Sequence, residues 1–508
     1  MRQAHQVEAL TGWTADWKHL KAAVLGLGVT GFSVADTLAE LGAETIVLAS
    51  SADAKTADLL EVIGVRLVVA DLQRDPDAVR TLEQFAPEVL VVSPGFPPRH
   101  PLVVWAHEHG VPVWGDVELA WRLRDKAGPP ARWLAVTGTN GKTTTVQLTE
   151  AMLAAGGLRV AACGNVGMPV LDAIRDPEGF DALVIELSSF QLHYTRHIAP
   201  YASVCLNLAD DHLDWHGSTQ AYRDAKAKVY ENTVSVCLFN RADDATREMV
   251  EDADVAEGCR AVGFGLGIPV PGDLGVVDGI LCERAFHAGY QRSAAELVNT
   301  SELAGSGLDS PHGVQNVLAA AALALSVGVP PKAIRGALAG FHVDHHRTEL
   351  VAEQDGIRWV DDSKATNPHA ARAALAACDP VVWIVGGLLK GVDVDELVHD
   401  QASRLRGAII IGADRGALVA AFARHAPALP VFEVDTLDTD EVMPHAVTLA
   451  ARLAQRGDTV LLAPAAASMD QFDNYADRGG RFAQAVRQLL GGGADDDEPS
   501  SPAASPHR

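Results

Sequence analysis

Short apolar runs alternate with Ala-rich stretches along almost the whole chain. AAVLGLG, TIVLAS, RLVVA and EVLVVSPG are too short for buried helices and are bounded by Gly, Pro or Asp, so each predicts a strand with helix between. A second group opens after KAGPPARW with WLAVTGTNGKTT, continues through ALVIELSS, ASVCLNL and SVCLFN, and closes on the helix VQNVLAAAALAL. A third begins near FHVDHHRTE and takes RWVDDS, VVWIVGG, AIIIG and TVLLAPA as strands. Strand followed by helix, many times over, predicts an α/β protein built on parallel sheets. The grouping predicts three domains, residues 1–127, 128–343 and 344–490. Beyond them, residues 491–508 carry Gly, Pro, Ser and acids that cannot bury enough apolar surface, and predict a disordered acidic tail. There is no internal repeat of fixed period.

Composition narrows the functional classes. With 66 acidic against 41 basic residues the formal charge is -25, which opposes attraction to phosphate backbones and anionic lipid. Neither nucleic acid nor membrane is therefore expected as a partner. The six cysteines are scattered without a CxxC pair, so no disulfide framework or structural zinc site is predicted and a reducing compartment fits. The N-terminus lacks a continuous apolar segment, and VLAAAALALSVGV falls short of a membrane span. A soluble cytoplasmic protein, taken to act as a monomer, is the expectation.

The strongest chemical signal is WLAVTGTNGKTTTVQL, which predicts a strand, a Gly-containing loop and a helix whose first turn holds Lys142, Thr143 and Thr144. Gly138 and Gly141 let backbone N–H groups point inward around a polyphosphate, with Thr139 and Asn140 between them. The helix N-terminus adds partial positive charge, Lys142 reaches the β- and γ-phosphates, and the Thr143 hydroxyl can ligate Mg²⁺. The first glycine of the strict G-x-x-x-x-G-K-[ST] pattern is Val136 here, which demotes a generic kinase or GTPase. Near the start, Gly26, Gly28 and Gly31 satisfy G-x-G-x-x-G. Dinucleotide binding also wants an acidic residue after the second strand, where Ala49, Ser50 and Ser51 stand, so NAD is disfavoured.

The loop TGTNGKTT resembles that of the Mur ligases, the ATP-dependent amino-acid ligases of peptidoglycan synthesis. The resemblance extends in order through GLGVTG, VVSPG, GDVEL, GNVG, ELSSFQL, DDHLDWHG, YRDAKAKVYEN, PHGVQN, HHRTE, DDSKATNP, a GG...KG stretch and APAAASMDQFDNY. It implies a Rossmann-like N-terminal domain for a UDP-sugar, a central P-loop ATPase-like domain and a Rossmann-like C-terminal domain for the amino acid. ATP would phosphorylate the alanine carboxylate of UDP-N-acetylmuramoyl-L-alanine, and the amine of D-glutamate would displace phosphate from the acyl phosphate.

The same resemblance implies residue roles. Lys142, His212 and Lys226 would be catalytic. One Mg²⁺ would meet Thr143 and Glu186; a second would meet His212 and Lys226, the latter carrying CO₂ as a carbamate. A carbamate forms from the neutral amine, so the Lys226 site must lower the lysine pKa from its reference of about 10.4. Read alone, Lys226 is an ordinary solvated helical lysine. Val29, Thr30, Ser93, Pro94 and Gly95 would hold the UDP-sugar diphosphate, and Asn165 the same substrate. Asn316, Arg347 and Asp362 would lie on the adenosine side. Lys364, Thr366, Lys390, Ser468 and the backbone around Tyr475 would hold the two carboxylates of D-glutamate, although from spacing alone Thr366 and Ser468 read equally as helix N-caps. The family's usual His-Asn pair reads His312-Gly313, which removes one amide expected at the base. His342, His345 and His346 read as a hinge between domains, with no further metal ligand apparent nearby. Two other readings stand beside this one. A folate-glutamate ligase shares the phosphate loop but lacks the GLGVTG and GDVEL segments. A nucleotide-sugar sensor would need none of Glu186, His212 and Lys226.

Overall fold

The computed structural model describes residues 2–491, apart from Gly305 and Asp344. The chain forms two compact units. One holds the residues up to Leu208 together with Trp215–His342; the other holds Ala209–Asp214 and everything from Val343 on. Of the expected acidic tail, 491–508, only Gly491 is described, as the last residue of the helix Tyr475–Gly491; the remainder lies outside the described residues.

The first unit contains two sheets. Strands β1 (Lys21–Leu25), β2 (Glu44–Ala49), β3 (Arg66–Val69), β4 (Val89–Val92) and β5 (Val113–Gly115) make an all-parallel sheet in the order β3-β2-β1-β4-β5. Strand order reverses between β1 and β4, so the loops after these two strands flank the crevice where such sheets take ligands. The second sheet runs β14-β13-β12-β11-β10-β9-β6-β8-β7. Its members are β6 (Arg132–Thr137), β7 (Val160–Gly164), β8 (Ala182–Glu186), β9 (Ala202–Cys205) and β10 (Val236–Asn240). They continue into β11 (Arg260–Phe264), β12 (Leu274–Val277), β13 (Ile280–Glu283) and β14 (Ala295–Asn299).

The sheet is parallel from β7 through β12, as expected, and β12, β13 and β14 extend its edge with antiparallel pairing. The cause is local: Asp278 and Gly279 both take positive φ, +49° and +77°, and form the tight turn that Asp-Gly favours between β12 and β13. The helix Pro311–Ser326 packs on the helix Lys142–Ala155, and its run of buried alanines lets the two backbones approach.

In the second unit the order is β15-β16-β20-β17-β18-β19: β15 (Glu349–Gln354), β16 (Ile357–Asp361), β17 (Val381–Gly386), β18 (Leu405–Ile411), β19 (Val431–Glu433) and β20 (Thr459–Leu462). Only β15 is antiparallel. VVWIVG is buried at every position, as a central parallel strand covered on both faces requires.

Buried charge ties the first sheet to the second. Glu118, fully buried, accepts from Arg122 Nε (3.0 Å), the Arg196 and His197 N–H groups (2.9 and 3.1 Å) and His197 Nδ1 (2.7 Å). Burial pushes Glu118 up, but these donors outweigh it and hold its carboxyl below the usual range. Arg122 also reaches Glu8 Oε2 at 2.7 Å and lies over the Trp114 ring.

Asp116, two residues earlier, has no such company. Burial raises it from 3.8 to about 6; Gln191 Nε2 donates to Oδ2 at 3.0 Å, and Oδ1 has no partner among the described residues. Between those two pH values the folded chain binds a proton that the unfolded chain has lost. Stability from this group therefore falls as pH rises from about 4 to about 6, by on the order of 3 kcal/mol. Asp116→Asn, which cannot titrate, should gain about that much on wild type between pH 4 and pH 8 in urea unfolding; a pH-independent difference would exclude the raised carboxyl.

Candidate active site

Four neighbouring strands of the second sheet end side by side. Val136 of β6 is in register with Glu186 of β8, Gly164 of β7 also pairs with Glu186, and Cys205 of β9 pairs with Thr137. The segments leaving these strands therefore cluster at the carboxyl edge: Gly138–Thr144 after β6, Asn165 after β7 and Asn207 after β9. Lys142 opens the helix Lys142–Ala155, with Gly141 as its N-cap.

Gly138 and Gly141 have φ of +149° and +84°, which ordinary side chains resist. A Cβ on Gly141 would also sit 2.5 Å from Asn316 Oδ1, placing Asn316 against the turn. Lys142 Nζ donates to Gly138 O (2.9 Å) and Thr139 O (3.0 Å). Thr143 and Thr144 are buried in the first turn.

Lys226 reaches the same loop. It is buried, and its Nζ donates to Gly138 O at 2.7 Å and lies 3.4 Å from Thr137 Oγ1 and 4.9 Å from the Tyr222 ring centroid. The Nζ atoms of two lysines thus meet on one backbone carbonyl, and the buried Lys226 is not the solvated helical lysine of the bare reading. Glu186, also buried, accepts from Asn165 Nδ2 at 3.0 Å through Oε1, while Oε2 has no protein partner among the described residues. A buried carboxylate oxygen left without a donor is costly unless a cation completes it. A hard divalent ion suits an oxygen donor of this kind.

The first sheet positions the diphosphate candidates at its own reversal point. Val29 and Thr30 start the helix Val29–Glu40, with Gly28 as N-cap and the Val29 side chain exposed. Gly26, at φ +93°, cannot take a side chain: its Cβ would lie 2.8 Å from Ser93 Oγ. Ser93 follows β4, and its buried hydroxyl has no hydrogen-bond partner among the described residues. Pro94 and Gly95 continue this loop, which is held by Trp215 Nε1 on Gly95 O (3.3 Å) and Tyr194 OH on Phe96 O (2.8 Å).

The remaining candidates lie in the second unit. His212 belongs to its segment Ala209–Asp214, at φ +54°. Beside it, Asp211 Oδ1 receives Lys390 Nζ at 2.5 Å, and Asn367 Nδ2 approaches Oδ2 at 3.4 Å. Lys364 Nζ lies 3.7 Å from the Tyr475 ring centroid, and Ser468 is buried in the loop after β20. Thr366 is not the cap of the following helix; Asn367 is, accepting from Ala370 N at 2.9 Å. Asp362 is pushed up to about 7 by burial, although the Thr348 N–H and Arg347 pull the other way.

The histidine segment is more tightly held than the sequence suggested. His346 Nδ1 meets Asp361 Oδ2 at 2.6 Å, its N–H meets Glu349, and His345 meets Glu349 Oε1 at 3.0 Å. Two carboxylates, Glu349 and Asp361, thus lie close to His346.

Three further residues shape the site, of which Asn207 and Arg478 lie outside the resembling strings and Tyr222 opens YRDAKAKVYEN. Asn207 accepts from Asn140 N (2.8 Å) and donates to Asn140 O (3.1 Å), while its own carbonyl accepts from Thr139 N (3.0 Å). Tyr222 OH meets Thr139 Oγ1 at 3.0 Å. Arg478 is wholly buried between two loops of the second unit. Tyr222 sits one helical turn before Lys226, the one local hint of its role. Gly313 explains itself: a Cβ there would lie 2.5 Å from Leu308 O, so the amide that the resemblance led one to expect beside His312 has no room.

Three family models match the chain in order: "Mur ligase MurD-like, N-terminal domain" over residues 20–115, "Mur ligase middle domain" over 136–324 and "Mur ligase, glutamate ligase domain" over 346–466. A UDP-N-acetylmuramoylalanine--D-glutamate ligase of Leifsonia xyli subsp. xyli is 60% identical, covering 98% of each chain. One of Streptomyces coelicolor is 50% identical over 93% of this chain and 98% of its own. Among solved structures, UDP-N-acetylmuramate-alanine ligase of Thermotoga maritima shares the fold, with a TM-score of 0.53 at 17% identity over 93% of this chain and all of the other. A murein peptide ligase of Psychrobacter arcticus does likewise, at 0.52 and 16% over 94% and 99%. With all three models in sequence and high identity end to end, the chain belongs to the Mur ligase family.

Proposed function

We propose that this Mur ligase joins D-glutamate to the alanine carboxylate of UDP-N-acetylmuramoyl-L-alanine, coupled to cleavage of ATP to ADP and phosphate, as a step of peptidoglycan synthesis. The observation that carries the reading is the convergence of Lys142 and Lys226 on Gly138 O, on the sheet edge that also presents Glu186. The identity with D-glutamate ligases supports the choice of substrates.

In this reading residues 1–127 bind the UDP-sugar, 128–343 bind ATP and 344–490 bind the amino acid. Mg²⁺, at two sites, neutralises phosphate and carboxylate oxygens when bound. Glu186 Oε2 and the Thr143 hydroxyl suit the first site, and His212 and a carbamylated Lys226 the second. A carbamate keeps one N–H on the lysine nitrogen, enough to maintain the bond to Gly138 O. Around the nucleotide, Gly138–Thr144 direct N–H groups at the phosphates and Lys142 offsets the charge that develops as the γ-phosphoryl moves to the substrate carboxylate. Asn316, Arg347 and Asp362 hold the adenosine side. Val29, Thr30, Ser93, Pro94, Gly95 and Asn165 fix the UDP-sugar. Lys364, Thr366, Lys390, Ser468 and the Tyr475 backbone orient the amino acid so that its neutral amine attacks the acyl carbon. The tetrahedral adduct then expels phosphate and leaves the amide.

Phosphate release from ATP with UDP-N-acetylmuramoyl-L-alanine, measured against a panel of amino acids, tests this. Release is expected with D-glutamate. Release only with a folate acceptor would establish the folate ligase instead, and silence throughout would favour a sensor.

A further inference from the structure

Arg478 is wholly buried in the second unit and makes no direct ion pair among the described residues. Its Nε donates to Ser363 Oγ (3.0 Å), one terminal nitrogen to Ser363 O (2.8 Å) and the other to Ala466 O (3.1 Å). Ser363 Oγ in turn donates to Tyr475 O at 2.7 Å. Burial lowers the guanidinium to about 9, so it stays charged near neutral pH, helped by Asp470 and Asp361. A buried charge satisfied by backbone carbonyls and one hydroxyl is an expensive way to fill a core, and an apolar side chain would usually serve stability better. What the charge adds is a rigid planar fork that fixes several acceptors at once.

Those acceptors sit on loops of separate strands. Ser363 lies in the loop after β16, immediately before Lys364 and three residues before Thr366; Ala466 lies in the loop after β20, two residues before Ser468. Tyr475 opens the helix that carries Arg478 itself. The next residue, Gly479, allows this close approach: a Cβ there would lie 2.3 Å from His346 Nδ1 and 2.6 Å from Asp361 Oδ2.

We propose that Arg478 is the positioning residue of the amino-acid pocket, setting the separation of the Lys364–Thr366 loop from the Ser468 loop and thereby the fit to the two carboxylates of the incoming amino acid. The inference rests on the function proposed above, because it takes these loops as the D-glutamate site. Arg478 touches no substrate; it acts through Ser363 and Ala466.

The test is steady-state kinetics on full-length Arg478→Lys and Ser363→Ala, with melting curves to establish that each is folded. Lysine keeps the charge but cannot span three acceptors. Arg478→Lys should raise the KM for D-glutamate about tenfold, leaving the KM for ATP and for the UDP-sugar within about twofold. Ser363→Ala should raise the same KM by less. If Arg478→Lys does not fold, Ser363→Ala alone decides. An unchanged D-glutamate KM, or a common rise in all three, would overturn the proposal. Wild type that fails to turn over D-glutamate would instead overturn the proposed function, so the two failures are distinguishable.

Discussion

Lys142→Ala is expected to remove nearly all ATP-dependent phosphate release, lowering kcat by on the order of 10³-fold. Deleting one preorganised donor from a charged transition state typically costs 10² to 10³, and here the donor is a full cation at a helix start. The fold should survive. Nζ spends its hydrogen bonds on Gly138 O and Thr139 O, and Gly138 O keeps a second donor in Lys226. A melting temperature within a few degrees of wild type, together with lost phosphate release, is the expected pair of results. Activity within tenfold of wild type would show that the phosphates lie elsewhere.

Lys226→Ala should be nearly as damaging, with activity down on the order of 10²-fold or more, and it should respond to chemical rescue. Removing the side chain empties buried space beside Tyr222 and Thr137. If Lys226 serves as a carbamate, acetate or bicarbonate at millimolar concentration can enter that space and supply the missing anionic oxygen. Partial recovery that saturates with acetate, and is absent in wild type, is expected. A purely structural lysine predicts a lowered melting temperature and no recovery. Full activity without additive would contradict a catalytic role of either kind.

Much of the architecture was legible because period and punctuation agree: WLAVTGTNGKTT carries strand, loop and helix start in one unbroken string, and the structure has β6, the loop and the helix from Lys142 there. The edge of the second sheet was missed because its strands are short and partly polar, although Asp278-Gly279 is a recognisable hairpin turn. Site residues divide in the same way. The loop from Gly138 to Thr144 is local and announces itself. Lys226 is eighty-eight positions from the carbonyl it meets, Asn207 is sixty-seven from Asn140, and Arg478 is a hundred and fifteen from Ser363. Such partners are chosen by the closure of sheets, and no periodicity encodes them. For Lys226 the neighbouring motif string, not the residue itself, drew attention to the position.

Gly313 carries an evolutionary corollary. With the Leu308 carbonyl where a β-carbon would stand, every side chain is shut out at once, polar or apolar, large or small. An ancestor or descendant bearing asparagine there must have a different turn at 308, so the two changes can be tolerated only in one order: turn first, side chain second. Libraries that randomise 313 alone should return glycine, and those that also vary the turn should recover the amide.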